Sequence, residues 1–593
     1  MAAKSLDRRL SRLDAARYQF GPKAPARVLR LLGALEAAHF PDPRSLIRFH
    51  EALMFLRAFP QNATVLRAVE RILNRFHEKV ETSRRGGADM SAFDTFEFSG
   101  IAGTTMEDAL SFDVARWLLG RMPGQVEIAW DNYEPGRELG TTGPRLMPLL
   151  EDDSYVEADT PWRRWLETAG GVGKRSGNVA SRTPAWLVSR FERLPLPDPQ
   201  KAELYESLRI PLRWSLGNSP LSRTRNWKPV HTIFYHQRPL ISRSQVSLAD
   251  ELAKRPPSFK RLSLREGEAI VEMIREVMLV RYRELYGTTL ADPRSVVRAD
   301  LGNDDPGNDE ASRGVSLFLW SLPPERRLPL RAYVAGLTLK NGVPINYIEA
   351  IGLCEWMEVG FNTFYTFRGG EAGWIYAQVL RSLCAHMGTT VVSVYPYQLG
   401  HDNDEAIESG AFWFYRKLGF RPGRAELLDL VRREEEKIAA DATAEGAKKY
   451  RTPARTLRRL AAGHVFYDLP GTEVGAWDRF STRNIGLRVN LRMARDFSGD
   501  SVRMREQSRR ALERSLGVST SRWTLLEKVA FDHFALVLTA VPGLSGWTRE
   551  EKEDLVRIIR AKAKPDEMLY LHLTQRHGRL REALLAGGKQ KRL

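Results

Sequence analysis

GAFWFYRKLGFRP, residues Gly410–Pro422, is the stretch on which the reading of this chain turns. Ala411, Phe412, Phe414, Tyr415 and Leu418 recur at the spacing that lays apolar side chains along one broad helix face. Arg416 and Lys417 fall in the last turn, where cations offset the negative end of the helix dipole, and Gly419 supplies the stop. Pro422 closes the segment by restricting the residue before it to extended backbone. An ordinary core helix ending at a glycine accounts for this much. What lies upstream gives the helix a context.

Ala332–Leu339 (AYVAGLTL) reads as a strand, and Lys340-Asn341-Gly342 as a tight turn whose Asn-Gly pair tolerates the positive φ of a hairpin. Val343–Ile351 is the returning strand, and the aromatic-rich run Trp356–Phe367 is a third. Arg368–Gly373 (RGGEAG) breaks the pattern, Trp374–Met387 runs at helical period, and Thr389–Tyr397 (TTVVSVYPY) is a β-branched strand. A strand, a helix and a strand of these lengths imply a parallel crossover. Earlier in the chain, Ser263 and Glu266 form a capping-box pattern ahead of an amphipathic helix over Glu268–Tyr286, and Val315–Trp320 reads as a strand.

Ala411, Phe414, Tyr415, Lys417, Gly419 and Phe420 together fill the pattern A-x-x-[LF]-Y-x-K-x-G-F, and in this the segment resembles the helix-to-strand corner of the GNAT acyl-CoA N-acyltransferases. The order of elements from residue 257 to 423 is similar to the central part of that fold, about a quarter of the chain. The resemblance implies a mixed α/β domain with a mixed sheet, flanked by mainly helical regions. It implies acetyl-CoA or another acyl-CoA as co-substrate, with its pyrophosphate held by backbone N–H groups of a [QR]-x-x-G-x-[GA] loop at a helix start. Two registers place that loop here. One begins at Arg368 and keeps Gly373; the other keeps Gly370 and Ala372; Gly369 lies between, and Glu371 falls near the phosphate in both.

Tyr415 corresponds to the tyrosine that protonates the departing thiolate in the family. Glu355 and Glu358, on or beside the third strand, are the candidates for the base that deprotonates an amine acceptor. The family's asparagine near the strand end is replaced by Glu408, and a polar run, Gly400–Glu408, is inserted, within which Asn403 offers the same chemistry. After Pro422 the family's closing strand pair is missing: Ala425–Glu445 is helical and charged, and Val465–Leu469 is the segment that offers a closing strand. Each of these residues also has a plain reading. A strand carboxylate is commonly solvated or paired, a helix-end tyrosine commonly rests at the surface, and glycine turns between strand and helix are common without a ligand.

A chain of 593 residues implies three or four domains. The divisions read as a helical region at 1–85, a mixed region of unassigned role at 88–256, the acyltransferase-like domain at 257–423, and a basic, mainly helical region at 424–593. No apolar run reaches bilayer length, and MAAKSLDRRLSRLDAARY has no apolar leader core, so the expectation is a cytoplasmic protein. Cys354 and Cys384 read as buried small residues in a reducing compartment. The histidines are scattered without metal-ligand spacing, so no metal is expected. Net charge is +17, and from Arg424 onward Lys and Arg outnumber Asp and Glu by 34 to 23.

Such a basic region suits nucleic acid, an acidic partner, a membrane surface or a plain solvated surface, and no nucleic-acid-binding motif accompanies it. Gly170–Lys174 (GGVGK) fails as a phosphate loop, because Thr168 and Arg175 stand where glycine and Ser/Thr are needed. Pro161–Trp165 (PWRRW) reads as core, and Asp300–Glu310 as an acidic solvated loop without calcium-hand spacing. Two alternatives to an enzyme therefore stand beside it: a non-catalytic scaffold of the same fold that meets a protein partner through its helical regions, and a nucleic-acid-binding protein working through the basic end.

Overall fold

Asn341 and Gly342 reverse the chain with φ of +48° and +81°, the left-handed pair that an Asn-Gly hairpin was expected to adopt. The computed structural model describes residues 2–143, 161–171, 179–283, 286–302, 313–442, 450–540 and 543–589. The acidic loop from residue 303 on and the end of the GGVGK stretch lie outside them. The hairpin joins β7 (Ala332–Lys340) to β8 (Val343–Leu353), which pairs in turn with β9 (Trp356–Thr363). Gly342 is obligatory for a second reason, since a Cβ there would collide with the Lys228 carbonyl. The Asn341 amide donates to the carbonyls of Ala58 and Phe234 at 2.9 and 3.0 Å and accepts from the Phe234 N–H at 2.9 Å.

These strands belong to a nine-stranded sheet in a mixed α+β architecture. Before β7 come β4 (Lys260–Arg261), β5 (Val297–Asp300) and β6 (Val315–Ser321); after β9 come β10 (Val391–Val394), β11 (Arg421–Pro422) and β12 (Val465–Asp468). The spatial order is β11-β12-β10-β9-β8-β7-β6-β5-β4. Every pairing is antiparallel except β9 with β10, which the helix Ala372–Met387 connects as a crossover. The expected closing strand exists as β12, and it inserts between β10 and β11. A smaller antiparallel sheet, in the order β1 (Thr105–Asp108), β3 (Leu212–Ser215), β2 (Val126–Ile128), lies in the 88–256 region with its own core. Trp162, Trp165 and Trp186 meet edge-to-face there, with Trp162 in the core and Trp165 partly buried against it.

The boundaries drawn at residues 85 and 424 do not separate cores. One apolar cluster runs from Leu6 through the large sheet to Leu585. The helix Pro43–Ala58 is buried on nearly every side, which explains why its apolar residues do not follow a single stripe. The C-terminal helices dock on the β6–β7 connection, where Arg327 donates to the carbonyls of Lys562, Lys564 and Pro565. Near that contact Glu567 is buried and paired with Lys562 at 2.6 Å.

A buried polar network fixes the N-terminal helices to the end of β9. Glu51 meets Arg223 at 3.2 Å and accepts from the Thr366 hydroxyl, and His50 bridges Glu51 and Thr224. Burial pushes the Glu51 carboxyl upward, but Arg223, His50 and Thr366 outweigh it and hold it down at about 2.

Two expectations follow. Asn341→Ala orphans the buried partners of its amide and lowers stability by about 2 kcal/mol, read by urea unfolding. Because the folded pKa of Glu51 lies below its ordinary value of 4.5, its contribution is present above pH 4.5 and is lost as pH falls toward about 2. Glu51→Gln therefore flattens the acid limb of a stability-versus-pH curve in that window, while remaining the less stable protein at pH 7.

Candidate functional site

The ladder between β9 and β10 has three rungs, Trp356↔Val391, Met357↔Val392 and Glu358↔Ser393. Beyond it β9 continues through Val359–Thr363, paired with β8 on one side and, among the described residues, with no strand on the other. β10 ends at Val394 because the chain turns at Pro396 into the short helix Pro396–Leu399, so the TTVVSVYPY run is a strand only in its middle. The two strands part, and the unpaired edge of β9 forms one wall of a cavity of about 900 Å³. Its size lies at the upper end of the range for small-molecule sites.

The glycine turn forms the next wall. The aromatic run that read as strand to Phe367 stops at Thr363, and Tyr365–Phe367 is a 3-10 turn. Gly370 N–H then bonds the Phe367 carbonyl at 2.8 Å, and the helix starts at Ala372. Arg368, Gly369, Gly370, Ala372 and Gly373 all line the cavity, so the start of a sixteen-residue helix faces it, with the Ala372 N–H bonded to the Gly370 carbonyl at 2.8 Å. These glycines also make close contacts inside the protein. A Cβ at Gly370 would stand 2.7 Å from the Phe59 ring, one at Gly373 would stand 3.0 Å from the Arg243 side chain, and one at Gly369 would strike the Tyr18 hydroxyl.

Glu371 does not face the cavity. Its side chain is fully buried, held by the Arg313 guanidinium, and it accepts the Ile241 N–H at 3.1 Å. Lys340 lies beside this pair, over the rings of Phe59 and Phe234 at 5.1 and 4.8 Å. Burial drives the Lys340 ammonium down to about 7, although Glu371 pulls the other way. The carboxylate that the sequence placed near a phosphate is thus turned inward and neutralised, leaving Arg368 and Arg243 as the cations on the wall. Arg368 pairs with Glu405 at 2.5 Å, and Arg243 donates to the Lys417 carbonyl at 3.0 Å.

Tyr415 lines the far side. Its ring packs edge-on against Tyr376, Phe414 and Phe420, and burial raises its pKa above the ordinary 10, so the phenol keeps its proton. Its hydroxyl has no hydrogen-bond partner among the described residues. Asn403 is also on the wall, where it caps the helix Asp404–Ser409 through Ala406 N–H at 3.2 Å and donates to the Tyr397 carbonyl at 3.1 Å. Tyr415, Asn403 and the glycine turn, chosen from separate stretches, therefore meet in one cavity.

The two glutamates are placed differently. Glu355 sits in the β8–β9 turn, not on the strand, and accepts from Trp477 Nε1 at 2.7 Å and Arg581 Nε at 2.6 Å, away from the cavity. Glu358 occupies the last rung before the strands part, outside the cavity wall, with His464 Nε2 at 2.9 Å and Arg331 at 3.6 Å. Sequence reasoning also missed Tyr18, Arg243 and Tyr282, which complete the wall from much earlier segments of the chain. No local pattern marks them.

Removing Glu371 leaves the Arg313 charge partly buried without its partner, so Glu371→Ala lowers stability by about 3 kcal/mol. Arg313→Met added to Glu371→Ala restores part of that loss, a coupling read from a double-mutant cycle of urea unfolding.

Against known proteins the chain stands apart: no family model, no curated protein and no solved structure matches it.

Proposed function

We propose that this protein is an acyl-CoA-dependent N-acyltransferase. The observation that carries the reading is the parting of β9 and β10 beside a helix start opened by a glycine turn. An unpaired strand edge offers alternating N–H and C=O groups to a ligand that itself carries amides, which is the chemistry of a pantetheine arm. The Gly373 amide and the dipole at the start of Ala372–Met387, with Arg243 and Arg368, offer the donors and charge that a pyrophosphate needs. The inward turn of Glu371 removes one group that would oppose an anion there, and Glu405, the carboxylate on the wall, is paired with Arg368. The antiparallel pair β11 and β12, closing the sheet beyond β10, supports the same reading.

In this reading the acyl-CoA supplies an activated thioester, and the chain supplies position and protons. The β9 edge orients the donor, the aromatic packing around Tyr415 excludes water, and the Tyr415 phenol gives its proton to the departing thiolate. A hydroxyl without a protein partner is free to take up that bond. One observation favours the alternative of a non-catalytic scaffold: Tyr18, Phe59 and Arg243 crowd the glycines, which is what a turn kept for packing alone would show.

Thermal unfolding with excess acetyl-CoA separates the two. A ligand at about 100 times its Kd stabilises the native state by about 2.7 kcal/mol. The enzyme reading expects a clear rise in Tm that is lost in Arg243→Glu/Arg368→Glu. Tyr415→Phe keeps the rise and lowers thiol release in an amine screen by at least about tenfold. A folded protein with no rise in Tm returns the scaffold.

A further inference from the structure

At the point where β9 and β10 part, the other face of the sheet carries a pair of groups that the reading above leaves idle. Partners across a ladder share a face, so Glu358, Ser393 and Phe466 lie together. Tyr395, two residues after Ser393, and His464, two before Phe466, continue the same alternation just past the strand ends. Phe361, of opposite parity on β9, packs at 4.8 Å against Tyr376 of the crossover helix, which marks the opposite face as the helix-covered one.

His464 Nε2 is 2.9 Å from Glu358 Oε2, and the Tyr395 ring stands edge-on to the imidazole at 5.4 Å. Arg331 approaches the other Glu358 oxygen at 3.6 Å. With its Nε2 proton on the carboxylate, the imidazole presents Nδ1 as a base, and Nδ1 has no partner among the described residues. The His464 and Glu358 side chains are 30% and 17% exposed, so solvent and a ligand reach them. Beneath the pair, Trp356 bonds Ser393 and stacks on Trp477 at 5.3 Å, which seals that side. Above it the next residue of the face is Gly360, where an added Cβ would find only Gln398 Nε2, at 3.8 Å. Two residues further, about 7 Å along the strand, Asn362 is already in the cavity wall. Across from Gly360 the register places Glu349, a second carboxylate.

We propose that His464 is the proton acceptor for the attacking amine, that Glu358 is its positioning residue, and that the acceptor is a positively charged primary amine arriving on this face. The proposal rests on the acyltransferase reading. Glu349 and Glu358 attract the ammonium, and the gap left by Gly360 connects it to the cavity. The ammonium gives a proton to His464 Nδ1, and the freed nitrogen lone pair forms a C–N bond with the thioester carbonyl carbon. The C–S bond breaks, its electron pair leaves on sulfur, the thiolate takes the Tyr415 proton, and the second proton lost from the nitrogen restores the Tyr415 phenol. The products are an amide and a free thiol. The carboxylate keeps the imidazole in the productive tautomer and stabilises the imidazolium, a division of labour known from triads.

The test is bromoacetyl-CoA with the full chain, read by peptide mass spectrometry. An imidazole nitrogen that faces the acyl group displaces bromide and becomes covalently attached. The expected result is one adduct, on His464, suppressed by excess acetyl-CoA. Glu358→Gln slows its formation at least about tenfold by weakening the base, and His464→Gln abolishes it. If acetyl-CoA raises Tm and His464 stays unmodified, or another residue takes the label, the proposal is overturned while the acyltransferase reading survives. If acetyl-CoA gives no rise in Tm, both fall together.

Discussion

A carboxylate with no exposure to water holds the centre of this molecule. Glu371 survives in that position because the Arg313 guanidinium and the Ile241 N–H take the bonds that water would otherwise supply, with Lys340 close by. The interaction joins three distant parts of the chain: the start of the crossover helix, the segment around residue 241 that walls the cavity, and the ends of β6 and β7. It also keeps one carboxylate off the cavity side of the helix start. If Glu371 were turned outward, it would cancel the positive end of the dipole. Turned inward, it leaves that end facing the cavity with Arg243 and Arg368 beside it.

The second constraint is the accounting of backbone hydrogen bonds. An unpaired strand edge invites pairing with foreign chains, and proteins usually cover it. Here the edge of β9 beyond Glu358 is not covered by β10 but walled off by the helical turn Pro396–Leu399 and by Tyr397 and Gln398. The edge is thereby kept from other proteins while remaining open to a slender ligand. The same geometry puts Glu358 at the junction, with one foot in the ladder and its side chain on the face where His464 arrives.

Much of the sheet was legible in the sequence because its signals are local. Asn341-Gly342, the β-branched runs and the capping box at Ser263 and Glu266 each carry their own physics within a few residues. The misjudged ends have a common cause: Tyr365–Phe367 and Pro396–Leu399 are apolar continuations of strands, and hydrophobicity does not distinguish a strand from the tight turn that ends it. Tyr415, Asn403 and the glycine turn could be nominated from short motifs. The partner of Glu358 could not, since His464 lies 106 positions away behind a helical stretch. The same is true of Arg243 and Tyr18, which reach the cavity only through the shared core of the N-terminal helices and the sheet.

The place of β12 bears on the order in which the chain can mature. Among the described residues, β11 at Arg421–Pro422 pairs with the sheet only through β12, which is not made until residue 468. A nascent chain that has emerged as far as Pro422 therefore holds β10 with a bare flank, and the last strand it has made has nothing to dock on. The helix Ala425–Ala442 is synthesised during this interval. Closure is a late, long-range event on the ribosome, and the window before it is when the growing sheet is most open to pairing with a neighbour or to protection by a chaperone.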